Sequence, residues 1–330
     1  MDIRKILWET AHSEKKRALP ILSFPAAQKL GVSVETLVKS AELQAKAMQI
    51  IAAETDTLAA VSLMDLSVEA EAFGAKVRFT EDEVPAIVGQ LISDEDEANE
   101  LEVPDLTAGR AMLCVEAVRT AKQAITDKPV IAGMIGPYSL AGRLCDVTEI
   151  MYLCYDEPET VHTVLDKVTQ YLISYGQAMK AAGADGIMMA EPLAGILSPD
   201  MAEEFSMPYV KRIIDALQDD DFAVLYHNCG NSVPQMLESI YQLGAAAYHF
   251  GNAVDMKEIM AKTPADILAM GNIDPAGEFA SGTVESITAA TKALLEKCGA
   301  YKNFVPSSGC DIPAHAKWEN IQAFFAAVKD

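Results

Sequence analysis

The chain has 330 residues, half of them hydrophobic, with a formal net charge of -22 and a pI near 4.6. That length and apolar content suffice for a full core, and α/β barrels of roughly this size are commonly one domain, so residues 1–330 are read as a single unit. The acidity excludes nucleic acid, whose phosphates need basic surface, and argues against an anionic membrane.

Six cysteines, Cys114, Cys145, Cys154, Cys229, Cys298 and Cys310, lie far apart and mostly in helical context, which is not a secreted disulfide framework. The opening "MDIRKILWETAHSEKKRALP" has no apolar stretch of signal-peptide length, and no run reaches about 18 apolar residues. A cytoplasmic protein is expected.

In chain order, short apolar runs alternate with stretches of helical period. The expected strands are "LPILSF" (19–24), "AAVSLMD" (59–65), "PVIAGMIG" (129–136), "DGIMMAE" (185–191), "AVLYHNC" (223–229), "AAYHFG" (246–251), "DILAMGN" (266–272) and "NFVPSS" (303–308). Their nearly continuous apolar character suits parallel strands buried on both faces. The first expected helix is "SVETLVKSAELQAKAMQIIAAE", opened by Ser33 with Glu35 close behind. Seven more follow, ending with "HAKWENIQAFFAAVKD". This alternation predicts a (β/α)8 TIM barrel with an N-terminal helical extension. An open doubly wound sheet usually has fewer strands and often a G-x-G-x-x-G turn, which is absent here. The stretch 66–107 is too long for one loop and reads as an insertion over the barrel mouth, with "AKVRFT" as a small strand.

A barrel gathers the C-terminal ends of its strands on one face, where active sites sit. The residues there are Phe24, Asp65, Gly136, Glu191, His227 with Cys229, Gly251, Asn272 with Asp274, and Cys310 just past the last strand. His227 and Cys229 are two apart, so on an extended strand they point to the same side and can reach one ion. Cys310, with Gly309 beside it to let the backbone turn, offers a third ligand. Two cysteines and one histidine with an open fourth position is a catalytic zinc pattern, because structural zinc usually has four protein ligands. A lone cysteine is otherwise a small buried hydrophobe, which is how Cys114, Cys145, Cys154 and Cys298 are read.

These residues sit within motifs that resemble the uroporphyrinogen decarboxylase superfamily over nearly the whole chain, and within it the zinc-dependent branch that moves methyl groups from corrinoid proteins to thiols such as coenzyme M. The motifs are "LMDLSVEAEAFGAKV" (63–77), "GPYSLAGRL" (136–144), "GADGIMMAEPLAGILSP" (183–199), "HNCGN" (227–231), "GNIDPAGEFASGTVESI" (271–287) and "SSGCDIPAHAKWENI" (307–321). In that branch the H-x-C-G and late G-C-D motifs bind zinc, which implies His227, Cys229 and Cys310. The decarboxylase branch has a catalytic Asp, matched by Asp65. Its Arg-rich N-terminal motif is not matched, since "ALPILSFPAAQKLG" contains no arginine. A polycarboxylate macrocycle without arginines in an acidic protein is physically unattractive.

The resemblance implies a substrate thiol that binds the zinc as thiolate and attacks the methyl of a methylcobamide carried by a separate corrinoid protein. The acidic "SDEDEANELEVPD" (93–105) is either a contact for that partner or a solvated loop. Glu191 is either a fourth ligand or proton acceptor, or else a helix cap. Asp65 and Asp274 are candidates to orient His227 or the substrate. Asn231 and Asn272 are read as hydrogen-bond supports, and Tyr138 and Ser139 as pocket lining. His249 is read as structural, and Met188 and Met189 as core. A decarboxylase, or methyl transfer to homocysteine or a folate, is the alternative.

Overall fold

In the computed structural model of the chain, residues 2–329 are described. Nine strands occur in order: β1 (Ala60–Val61), β2 (Lys76–Arg78), β3 (Ala86–Val88), β4 (Val130–Ile135), β5 (Gly186–Ala190), β6 (Ala223–Asn228), β7 (Ala247–Phe250), β8 (Ala269–Ile273) and β9 (Phe304–Ser308). Seven form one parallel sheet in the order β1-β4-β5-β6-β7-β8-β9, and each step crosses over through helices. This is a TIM-barrel-like fold, as the alternation of elements requires.

The expected first strand, 19–24, is not a ladder strand, yet it fills the gap between β9 and β1. Leu19 N donates to Pro306 O at 3.1 Å, and Leu58 N donates to Ala18 O at 2.9 Å. Ile21 N donates to Ser308 Oγ at 3.1 Å, and Ile21 O accepts from Ile312 N at 3.0 Å. Pro20 has no N–H to give to a neighbouring strand, so the segment is stitched by single bonds, some of them to side chains.

Alternation along the strands divides the interior into two layers. Val61, Ile131, Met188, Ala190, Leu225, Ala247, Met270 and Val305 point into the barrel. Ala60, Val130, Ile187, Met189, Val224, Tyr226, Tyr248, Phe250 and Phe304 point outward under the helices. Met188 and Met189 are thus both core, on opposite faces. The N-terminal helix Ile3–His12 closes the lower end, with Ile3, Leu7 and Ala11 buried in the interior layer.

One expected helix is broken where a serine caps a new start. The stretch 33–54 becomes Val34–Val38 and Ala41–Glu54, because Ser40 Oγ takes the Leu43 N–H and starts a second helix. Ser33 accepts from Thr36 N, so Glu35 is not the reciprocal partner of a capping box. The insertion carries helix Val68–Ala72, the antiparallel β2–β3 hairpin and the acidic helix Glu95–Glu100.

Candidate metal centre

The inward rows of β6, β7 and β9 change from apolar to polar as they rise. Ala223 and Leu225 are followed by His227 and Cys229, Ala247 by His249, and Val305 by Ser307. Side chains two apart on a strand share a face, so the barrel core becomes a polar site within one layer. His227, Cys229 and the nearby Cys310 offer ligand atoms that all lie within 4.8 Å of one another, the one such cluster of three among the described residues. Gly251 closes the site from β7, where a Cβ would stand 2.5 Å from Cys229 Cβ. Gly309 serves the same end by close approach to Asn252, where a Cβ would meet Asn252 Oδ1 at 2.6 Å, rather than by the backbone turn expected from the sequence.

The electrostatics fit a cation. The Cys229 thiol is held down at about 7, because the hydrogen bond from Cys310 outweighs burial. Cys310 is pushed up to about 12 by that same bond and by burial. The four remaining cysteines are raised by burial, Cys114 and Cys145 to about 12 and Cys154 and Cys298 to about 11. His227 Nε2 is buried and makes no hydrogen bond, an orphan that a metal bond would satisfy. On the other side of the ring, His227 Nδ1 lies 2.8 Å from His249 Nδ1 and 3.3 Å from His249 O. His249 Nε2 lies 2.7 Å from Ser307 Oγ, which donates to Leu19 O at 2.7 Å. Burial, then the neighbouring His227, holds His249 well below the usual imidazole range.

A space of about 60 Å³ opens on these ligands, walled by Ile21, Met64, Leu66, Ala190 and Pro192, with no Lys or Arg among its lining residues. Asp311 also faces it, with Oδ1 buried and unpartnered and its carboxyl raised well above the usual range by burial, then by Cys310.

Other expected site residues stand elsewhere. Glu191 is fully buried, and burial raises its carboxyl. It accepts from Tyr138 N at 3.0 Å, Ser139 N at 2.7 Å and Ser206 Oγ at 3.1 Å, capping helix Pro137–Cys145. This is the helix-cap role: the carboxylate belongs to a helix N-terminus, where backbone N–H groups and the dipole favour it. Asp65 accepts from Arg110 Nη1 at 2.5 Å and from Ser67 N and Oγ, so it braces the insertion rather than orienting His227. Tyr138 lies in the core, its hydroxyl 3.4 Å from Met151 Sδ, and Ser139 Oγ accepts from Leu193 N. Neither lines the small space over the ligands. Asn272 donates to Gly251 O and Val254 O, and Asp274 caps the turn that follows through Ala276 N and Gly277 N. Both face a separate cleft beside β8. Asn231 is exposed. Sequence reasoning missed Ser307, Asp311 and Arg110. The first was legible in the parity of "NFVPSS", where Val305 and Ser307 must share a face.

A barrel with a cysteine–histidine cluster at the C-terminal ends of its strands defines a class of enzyme whose chemistry happens at the mouth. The family model for uroporphyrinogen decarboxylase matches residues 17–330, and the chain belongs to that family. It is 27% identical over 270 residues, 81% of this chain and 78% of the relative, to a methylcobamide:CoM methyltransferase of Methanosarcina acetivorans. It is also 28% identical over 288 residues, 82% of this chain and 78% of the relative, to a uroporphyrinogen decarboxylase of Hydrogenovibrio crunogenus. Among solved structures, a methyltransferase from Methanosarcina mazei superposes with a TM-score of 0.88 at 23% identity, covering 99% of this chain and 98% of that one. No helix among the described residues is long and apolar enough to cross a membrane.

Proposed function

We propose that this enzyme is a methyltransferase that takes a methyl group from a methylated corrinoid on a partner protein and gives it to a thiol at a zinc site formed by His227, Cys229 and Cys310. The observation that carries the reading is the three-ligand cluster with an orphaned His227 Nε2, set at the mouth of a barrel whose relatives include methylcobamide:CoM methyltransferases. When bound there, zinc supplies the Lewis acidity that lets a substrate thiol ionise at neutral pH.

The chain's own residues do the rest. Cys229 and Cys310 as thiolates offset the charge of a divalent cation and keep a third sulfur electron-rich. The apolar wall of Ile21, Met64, Leu66, Ala190 and Pro192 keeps water from that sulfur and suits a methyl group. In the transfer the carbon–sulfur bond forms as the carbon–cobalt bond breaks, and the latter's electron pair stays with cobalt. The corrinoid partner approaches the barrel mouth, and the acidic segment 93–105 is a candidate contact for it. A porphyrinogen's carboxylates would find no lysine or arginine in the small space over the ligands, which weighs against decarboxylation.

The test is zinc-loaded protein with methylcobalamin and a panel of coenzyme M, homocysteine, cysteine and a folate. We expect reduced cobalamin to accumulate with a thiol acceptor and to track its disappearance. Zinc-replete protein that methylates no thiol would overturn the reading. His227→Ala and Cys310→Ala should each lose stoichiometric zinc, and thiol binding to the wild type should release about one proton per site.

A further inference from the structure

We propose that His249 and Ser307 form a hydrogen-bond relay that fixes the tautomer of His227, so that the bare Nε2 lone pair is the one presented to the metal. The inference rests on the metal reading above and concerns how the chain prepares the nitrogen ligand of that cluster.

The argument is a count of protons along the chain of contacts. Leu19 O is a carbonyl and can only accept. Ser307 Oγ gives its single proton to that carbonyl at 2.7 Å. Toward His249 Nε2, also 2.7 Å away, Ser307 can therefore only accept, so His249 carries its proton on Nε2. A neutral imidazole has one N–H, which leaves His249 Nδ1 as an acceptor. The facing atom, His227 Nδ1 at 2.8 Å, must then be the donor. The backbone carbonyl of His249, 3.3 Å from the same nitrogen, is a second acceptor that demands the same assignment. With its proton on Nδ1, His227 holds a lone pair on Nε2, the atom that is buried without a partner. The reversed tautomer would set two lone pairs facing each other across 2.8 Å and would place an N–H where the ion should bind.

The fold places every member of this relay. His227 and His249 are register partners on β6 and β7, and both point inward, so their rings meet edge to face at 4.6 Å between centroids. Ser307 is the inward residue of β9, two strands further round. Leu19 belongs to the segment that closes the barrel without a ladder, and this leaves its carbonyl available to a side chain. All three side chains are almost completely buried, so water does not compete for the contacts. His249 and Ser307 are thus positioning residues that act through His227.

Two measurements test it. Nitrogen-15 NMR of metal-free wild-type protein labelled at histidine reads tautomers directly. We expect His227 protonated at Nδ1 and His249 at Nε2, and the opposite pair overturns the relay. Chelator competition with zinc and with cobalt(II) then compares wild type, Ser307→Ala, Ser307→Thr and His249→Gln. Second-sphere partners of ligand histidines typically tune affinity by about 10- to 100-fold. We expect a loss in that range for Ser307→Ala and His249→Gln and recovery in Ser307→Thr, with the sulfur-to-cobalt charge-transfer bands altered in the weakened variants. Folded variants with wild-type affinity and spectrum would mean that the two residues only pack, and the relay falls while the zinc site stands. Wild-type protein that binds neither metal removes the zinc reading itself, a separate failure that the NMR tautomers do not share.

Discussion

Glu69 is a carboxyl with almost no exposure, one oxygen accepting from Ile135 N at 3.0 Å and the other, Oε2, without a partner. Burial, opposed by the Ile135 hydrogen bond, pushes it up to about 7. The folded protein therefore keeps a proton that the unfolded chain loses near pH 4.5, and stability falls as pH rises from there to about 7. At roughly 1.4 kcal/mol per unit the effect approaches about 3 kcal/mol. Urea unfolding between pH 5 and pH 8 should show that slope in the wild type and a flatter one in Glu69→Gln; parallel slopes would refute the assignment. Cysteine reactivity follows from the same reasoning at another residue. In metal-free protein, iodoacetamide should label Cys229 fastest, with a rate that climbs through pH 7 as its thiolate forms, and added zinc should protect it. Peptide mapping that finds Cys145 or Cys298 first would contradict it.

At the scale of elements, the sequence announced strands and helices by period and missed the places where one side chain interrupts them. Ser40 and Ser206 each stand where one helix gives way to the next, although apolar spacing alone would continue it, and Ser206 gives its hydroxyl to Glu191. Pro20 keeps an apolar run from joining a ladder. Such events depend on partners distant in sequence, so local pattern cannot show them. Helix Pro137–Cys145 gives the sharpest case. Its N-terminus is built on the buried Glu191, and Gly136 leaves the room, since a Cβ there would stand 2.6 Å from Glu191 Cδ. Gly136→Ala should cost about 1–3 kcal/mol in urea unfolding, as overpacking does, and an unchanged midpoint would show that the carboxylate can move aside.

Over the whole molecule, the barrel was legible because seven of the eight apolar runs form one buried parallel sheet and the eighth lies buried beside it, and the cysteine–histidine cluster because a barrel maps strand ends onto one face. Glu191 and Asp65 also lie at strand ends, but what each touches is set by the neighbouring helix or insertion, which the sequence does not place. The two ends of the barrel do separate work. Leu7 of the N-terminal helix is fully buried in the lower interior, among Leu58, Ala223, Ala247 and Leu268 near the starts of the strands. Leu7→Ala should cost about 2–5 kcal/mol of stability yet leave zinc affinity of the folded protein unchanged, which paired denaturation and chelator titrations would show. Weakened zinc binding in that variant would mean that the plug and the mouth are coupled.

The seam between residues 18–22 and β9 has a consequence for how the protein is made. Leu19 and Ser307, which meet across that seam, are 288 residues apart in the chain. Cys310 lies just beyond the later partner. A polypeptide that ends before β9 contains His227 and Cys229 but neither Ser307 nor Cys310. On the zinc site proposed above, metal loading would then wait for the last strand, and a truncated chain would offer only two of the three ligands.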